Sequence, residues 1–149
     1  MRLCLIAAVD EAGGIGKKGG IPWDCPSDRA FFRAKTLGGG RNGVMMGRRT
    51  YESIGGILEG RVNIVLSRRG VAAADPVLYC CRDFGSAVGL GEFLGLEELW
   101  IIGGREVYAE GLRVCDREDV FINRIAGEYG CDVFFPFDVL GETGAGMRA

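Results

Sequence analysis

Histidine is missing from this chain of 149 residues. That absence removes Ser-His-Asp triads, Cys-His nucleophiles, His-based zinc sites and every imidazole acid or base. Titratable chemistry falls to a carboxylate, Lys, Tyr or Cys. The cysteines, Cys4, Cys25, Cys80, Cys81, Cys115 and Cys131, form no C-x-x-C pair. They offer no pattern for a structural zinc or a thioredoxin-type redox site, and are expected to be reduced thiols, several buried as small apolar residues. Long apolar runs are also absent. The longest, Leu3 to Val9, falls far short of the ~20 residues a bilayer span needs. Asp10 and Glu11 follow it where a signal peptide carries small residues. Positive charge is not in excess: 18 Lys and Arg stand against 20 Asp and Glu, a formal net charge of −2, so no overall field draws the chain onto nucleic acid. A cytoplasmic monomer with neither nucleic-acid nor membrane partner is expected.

What is present is apolar mass and glycine. A hydrophobic fraction of 48% suits one domain with a proper core. Glycine, at 26 residues, is well above its usual share, and it falls between apolar runs, as turns and close backbone approaches do. Leu3 to Val9 reads as a strand buried on both faces. A polar, glycine-rich loop over residues 10 to 24 follows. Pro26, Ser27 and Asp28 start a helix carrying Phe31, Ala34 and Leu37, which stops at Gly38-Gly39-Gly40. Strands are expected at 44–46, 62–66, 77–79, 99–102, 120–125 and 133–135, with helices at 50–54, 86–94 and from Gly104 to about Leu112. Alternating strands and helices predict an α/β fold with a largely parallel sheet, whose ligands gather at the carboxyl ends of the strands.

The glycine clusters fall at those ends. Gly14-Ile15-Gly16-Lys17-Lys18-Gly19 matches G-x-G-x-x-G, but Gly20-Ile21-Pro22 follows where a dinucleotide fingerprint needs a helix. A glycine-rich loop, either plain surface or a lid, is the better reading. Gly47-Arg48-Arg49-Thr50 and Leu66-Ser67-Arg68-Arg69 each close a strand with arginines, as charge-assisted phosphate contacts do and as solvated surface also does. Ile102-Gly103-Gly104 runs into Arg105-Glu106-Val107-Tyr108, either a tight turn or a backbone approach to pyrophosphate. Together the three ends suit a ligand with two separated phosphate groups, the shape of NADPH. Asp28 stands in a first helical turn near Trp23, Phe31 and Phe32. It is either a plain dipole-stabilising acid or the recogniser of a protonatable heterocycle.

These residues, in this order and spacing, resemble the dihydrofolate reductase family. The motifs that carry the likeness run from Ile6-Ala7-Ala8-Val9-Asp10, Ile15-Gly16, Ile21-Pro22-Trp23 and Pro26-x-Asp28 through Val44 to Thr50 and Glu52-Ser53-Ile54-Gly55. They continue with Gly60-Arg61-x-Asn63-Ile64-Val65-Leu66-Ser67, Ile102-Gly103-Gly104, Val107-Tyr108 and Phe135-Pro136. The resemblance implies a mostly parallel central sheet of about eight strands flanked by helices, with NADPH and dihydrofolate in one cleft. It implies that Asp28, with Trp23 beside a proton-donating water, serves catalysis. It places the substrate against Ile6, Ala8, Phe32, Ile54, Leu58, Arg61, Ile102, Tyr108 and Asn123. It assigns Ala8, Ile15 and Gly16 to the nicotinamide, and Gly47, Arg48, Arg49, Thr50, Leu66, Ser67, Arg68 and Arg82 to the adenosine-phosphate side. Gly103, Gly104 and the helix start Arg105, Glu106, Val107 and Tyr108 then face the pyrophosphate.

Two departures stand out. Asn123 occupies a position where the family typically has Thr. After Phe135-Pro136 the family usually continues for about 25 to 35 residues and adds a β-hairpin, whereas 137–149 is expected to be a short flexible tail after a domain spanning 1–136, leaving a sheet edge exposed. The readings that compete with NADPH-dependent dihydrofolate reduction are a related pterin or pyrimidine reductase and a truncated, non-catalytic module that binds NADPH or a partner.

Overall fold

A computed structural model describes residues 1–69 and 78–142. In chain order the elements are β1 (Arg2–Val9), β2 (Gly14–Gly16), α1 (Pro26–Leu37), β3 (Gly43–Gly47), α2 (Arg48–Ile54), β4 (Val62–Leu66), β5 (Leu78–Cys81) and α3 (Phe84–Phe93). They continue with β6 (Glu98–Ile101), α4 (Arg105–Leu112), a 3₁₀ turn at Arg117–Asp119, β7 (Val120–Arg124), β8 (Val133–Phe134) and α5 (Phe137–Glu142). Six strands form one sheet in the order β5-β4-β3-β6-β1-β7, and every pairing in it is parallel. β2 and β8 form a separate antiparallel pair. Among the described residues no strand pairs with the outer edge of β7.

The continuous apolar runs are explained by burial on both faces. Along β1, Leu5, Ala7 and Val9 join Met45, Ile64, Leu99 and Ile101 in a core closed by α3, α4 and α5. Cys4 and Ile6, pointing the other way, join Val44, Met46, Val65, Trp100 and Ile102 under Phe32 of α1 and Tyr51 of α2. The period-two alternation thus sends successive residues into two apolar layers.

Local chemistry set several boundaries differently from the expectation. α2 begins at Arg48, not Thr50, because Gly47 already takes the N-cap position. α3 begins at Phe84, not Ser86, because the Asp83 carboxylate caps it by accepting from Ser86 N at 2.8 Å. β5 runs to Cys81, and Val77 lies outside the described residues. The expected loop over residues 10 to 24 contains β2, whose partner β8 therefore stands apart from the main sheet. Residues 137–142 are not a flexible tail: α5 buries Val139 and Leu140 in the core, and the Phe135 and Phe137 rings pack 4.9 Å apart. Residues 143–149 lie outside the described residues.

Candidate functional site

The register of β1 against β7 sets Ala8 opposite Asn123, on the sheet face that carries Ile6 and that α1 covers. α1 is started by Pro26 and places Asp28 in its first turn. The half-buried Asp28 and Asn123 side chains meet there, the Asn123 amide Nδ2 donating to Asp28 Oδ1 at 2.6 Å. One and two helical turns further on, Phe32 and Thr36 follow on the same side of α1. Phe32 packs on the Ile6 layer with Leu58. The loop carrying Leu58 is pinned from below by buried Asn63, which accepts from Leu58 N at 2.8 Å and donates to Leu58 O at 2.9 Å. Ile54, the last residue of α2, is 41% exposed and forms an outer rim.

Tyr108 braces the floor. Its hydroxyl lies 2.9 Å from the carbonyl oxygens of both Ile6 and Ile102, sharing its one hydrogen between them. Burial, and then the Asp28 charge, push the Tyr108 phenol well up, so it remains a neutral donor. Each carbonyl keeps a second lone pair for another donor. Tyr108 thereby ties the backbone carbonyls of Ile6 and Ile102 together.

Arg61 is tied to the second turn of α1 beyond Asp28. It donates from Nη1 to Thr36 Oγ1 at 2.9 Å and from Nε to Glu59 O at 3.0 Å. Thr36 is fully buried, and its hydroxyl donates to Phe32 O at 2.8 Å. Burial, followed by the neighbouring charge of Arg33, lowers the Arg61 pKa. Thr36 was missed by motif reading; its spacing of eight residues from Asp28 along one helix was the available signal.

A second region lies where β3 and β6 end. Gly47 N donates to Gly103 O at 2.9 Å, drawing the starts of α2 and α4 together. Gly47 and Gly104 are the N-cap residues, and neither helix has a side-chain cap. Gly103 has φ +130°, a conformation that favours glycine, and lies beside Thr50 Oγ1 and the Tyr108 hydroxyl. Arg48 and Arg49 are exposed in the first turn of α2; Arg48 reaches Glu52 at only 4.0 Å, and among the described residues no ion pair holds Arg49. Leu66 pairs with Cys81 in register, and Ser67 N donates to Cys81 O at 2.9 Å. Ser67, Arg68 and Arg82 are thereby brought to neighbouring strand ends. Not every expected contact is free for a ligand. The Arg105 guanidinium donates to Phe134 O at 2.8 Å and pairs with Asp138 at 3.5 Å, tying α4 to β8 and α5. Val107 is buried in the core, and Glu106 brings a negative charge to the start of α4.

The glycine-rich loop is anchored by Asp10, which closes the first motif but was given no role from the sequence. Fully buried Asp10 accepts from Gly14 N at 2.8 Å, Ala12 N and Tyr129 N at 3.0 Å and the Cys131 thiol at 3.5 Å. Burial alone pushes the Asp10 carboxyl up, but these donors outweigh it and hold it below the usual carboxylate range. Ile15 and Gly16 follow in β2, and Lys18 N donates to Asp132 Oδ2 at 3.0 Å. Trp23 is half-buried and packs edge-on against Tyr129. All six cysteines are free thiols. Two cavities, about 500 and 250 Å³, lie at the other end of the strands, around Arg2, Glu98 and Asp119, and include none of these site residues. Among the described residues no helix is long and apolar enough to cross a membrane, and no cluster of acidic or cysteine side chains could hold a metal ion.

Comparison with known proteins joins both regions to one family. A family model described as dihydrofolate reductase matches residues 2–141. The chain is 40% identical to the dihydrofolate reductase type 3 of Salmonella typhimurium and 38% identical to the dihydrofolate reductase of Haemophilus influenzae; each match covers 91% of this chain and 79% of the relative. It is 35% identical to the bifunctional dihydrofolate reductase-thymidylate synthase of Glycine max over 89% of this chain, but spans only 27% of that protein's length.

Proposed function

The chain belongs to the dihydrofolate reductase family, and on that premise we propose that it reduces 7,8-dihydrofolate to 5,6,7,8-tetrahydrofolate with NADPH, a step of one-carbon metabolism. The observation that carries the reading is a single carboxylate, Asp28, half-buried beside Phe32 and fixed by the Asn123 amide at 2.6 Å. The Asp28 carboxylate accepts from the 2-amino group and N3 of the pterin, orienting the ring and stabilising positive charge as N5 gains its proton. Ile6, Ala8 and Ile102 line the ring, with Phe32, Ile54 and Leu58 as apolar walls. Arg61, held by Thr36, receives the glutamate α-carboxylate as a charge-assisted pair. Trp23 orders the water that delivers the proton to N5.

The residues at the ends of β3 and β6 fit the cofactor. Two helix starts without side-chain caps leave first-turn N–H groups for a pyrophosphate, and the glycines there place no side chain in its way. When bound, NADPH supplies the hydride that goes to C6. Arg48, Arg49, Thr50, Ser67, Arg68 and Arg82 take the adenosine-phosphate side. Arg105 contributes its backbone N–H, because its guanidinium is already engaged. The free thiols are in keeping with a cytoplasmic enzyme. Steady oxidation of NADPH on addition of dihydrofolate, with tetrahydrofolate as product, tests the reading. Binding of NADPH without turnover on any pterin would instead mark a non-catalytic module.

A further inference from the structure

Trp23 lies in an irregular segment whose neighbours Ile21, Pro22 and Asp24 are all exposed, yet Trp23 itself is half-buried. It packs on Tyr129: the ring centroids are 5.5 Å apart with an interplanar angle of 63°, an edge-to-face pair. Tyr129 is in turn fixed at two other points. Its N–H donates to the buried carboxylate of Asp10 at 3.0 Å, at the end of β1, and its hydroxyl donates to Ala126 O at 3.1 Å. The turn between them is kept open at Gly127, with φ +99°, where a Cβ would come within 3.4 Å of the Tyr129 ring. A second tether joins the Trp23 segment to α1 through the Asp24–Arg29 ion pair, but both of those side chains are exposed to solvent and their pairing is correspondingly weak.

We propose that Tyr129 is a positioning residue for Trp23, coupling the indole to the rigid end of β1 through Asp10 and so holding the segment between Gly14 and Asp28 in its working position. The proposal rests on the reading of Trp23 as part of the reaction site, and it adds a residue that no motif identified. An edge-to-face aromatic pair of this kind corresponds to about a two- to tenfold change in the docked-to-undocked ratio of Trp23. The ring is the active part; the hydroxyl bond to Ala126 O is solvent-exposed and adds little to its hold.

The experiment compares the full chain with Tyr129→Leu and Tyr129→Phe in two assays. In the first, indole fluorescence of the free protein is quenched with acrylamide. Trp100 is 2% exposed and shielded, so the quenchable signal reports Trp23. Tyr129→Leu is expected to raise the quenching constant about twofold or more, while Tyr129→Phe stays near wild type. In the second, the single-turnover rate of NADPH oxidation by dihydrofolate is expected to fall about two- to tenfold in Tyr129→Leu, with the KM for dihydrofolate little changed and the rate recovered in Tyr129→Phe. Unaltered quenching in Tyr129→Leu overturns the proposal, and so does altered quenching with an unaltered rate. A wild-type protein that never oxidises NADPH overturns the dihydrofolate reading instead; the quenching assay still reads the Tyr129 contact.

Discussion

Replacing Asp10 by Asn removes one charge and one acceptor from a fully buried side chain that receives three backbone N–H groups and a thiol. The amide oxygen can still face Ala12 N and Gly14 N, but the amide nitrogen then confronts Tyr129 N, leaving two donors opposed in the interior. Losing one charge-assisted bond and stranding a buried donor costs about 2–4 kcal/mol. For a chain of this length a cost of about 3 kcal/mol corresponds to a fall in Tm of roughly 6–12 °C. The sign of the pH dependence follows from the direction of the shift. The Asp10 carboxyl is held below its ordinary value in the folded state, so its stabilisation is complete above the unfolded carboxylate value of about 3.9 and is lost as pH falls through the folded value. Wild type and Asp10→Asn should therefore differ most at neutral pH and converge in acid. Urea unfolding of both proteins at pH 7 and at about pH 3 reads this directly. A variant within about 0.5 kcal/mol of wild type at pH 7, or a difference that persists undiminished in acid, would refute the assignment of Asp10 as the loop's anchor.

Two further outcomes are expected. Replacing Arg48 and Arg49 together by Ala should weaken NADPH about tenfold or more beyond any effect on NADH, because the 2′-phosphate is the only group that distinguishes the two; equal losses in a fluorescence titration would remove these arginines from the phosphate site. Gly14→Ala should destabilise by about 1–3 kcal/mol, since its Cβ would fall 2.3 Å from Cys131 Cβ and 2.5 Å from the sulfur. Adding Cys131→Gly should recover part of that loss, and strictly additive thermal shifts in the double variant would contradict the contact.

The candidate site's local structure was legible in the sequence wherever its determinants sit in a contiguous motif. Val44 to Thr50 reads as a strand ending in a glycine and a helix start because all the determinants are adjacent. Pro26 and Asp28 announce α1 in the same way. Less legible was what arises between distant segments. The sequence has an Asp at residue 10 and a Cys at residue 131, but nothing in either neighbourhood says that a buried carboxylate joins them. The β2 strand was hidden because its partner β8 lies far along the chain and both are short. α5 was misread as tail because Gly141 and the residues after it suggested flexibility, whereas Val139 and Leu140 bury themselves in the core. Arg105 looked like one more phosphate ligand, and only its engagement by Phe134 O and Asp138 shows where its side chain is used.

Asp28→Asn bears most directly on the chemistry. The substitution keeps the shape of the side chain while removing its charge, and Asp28 is set apart from the phosphate-side residues in sequence and in role. Cofactor binding and turnover should therefore separate. The variant is expected to bind NADPH with wild-type affinity and to lose most of its NADPH oxidation with dihydrofolate at neutral pH. Wild-type turnover in Asp28→Asn would contradict the role given to that carboxylate.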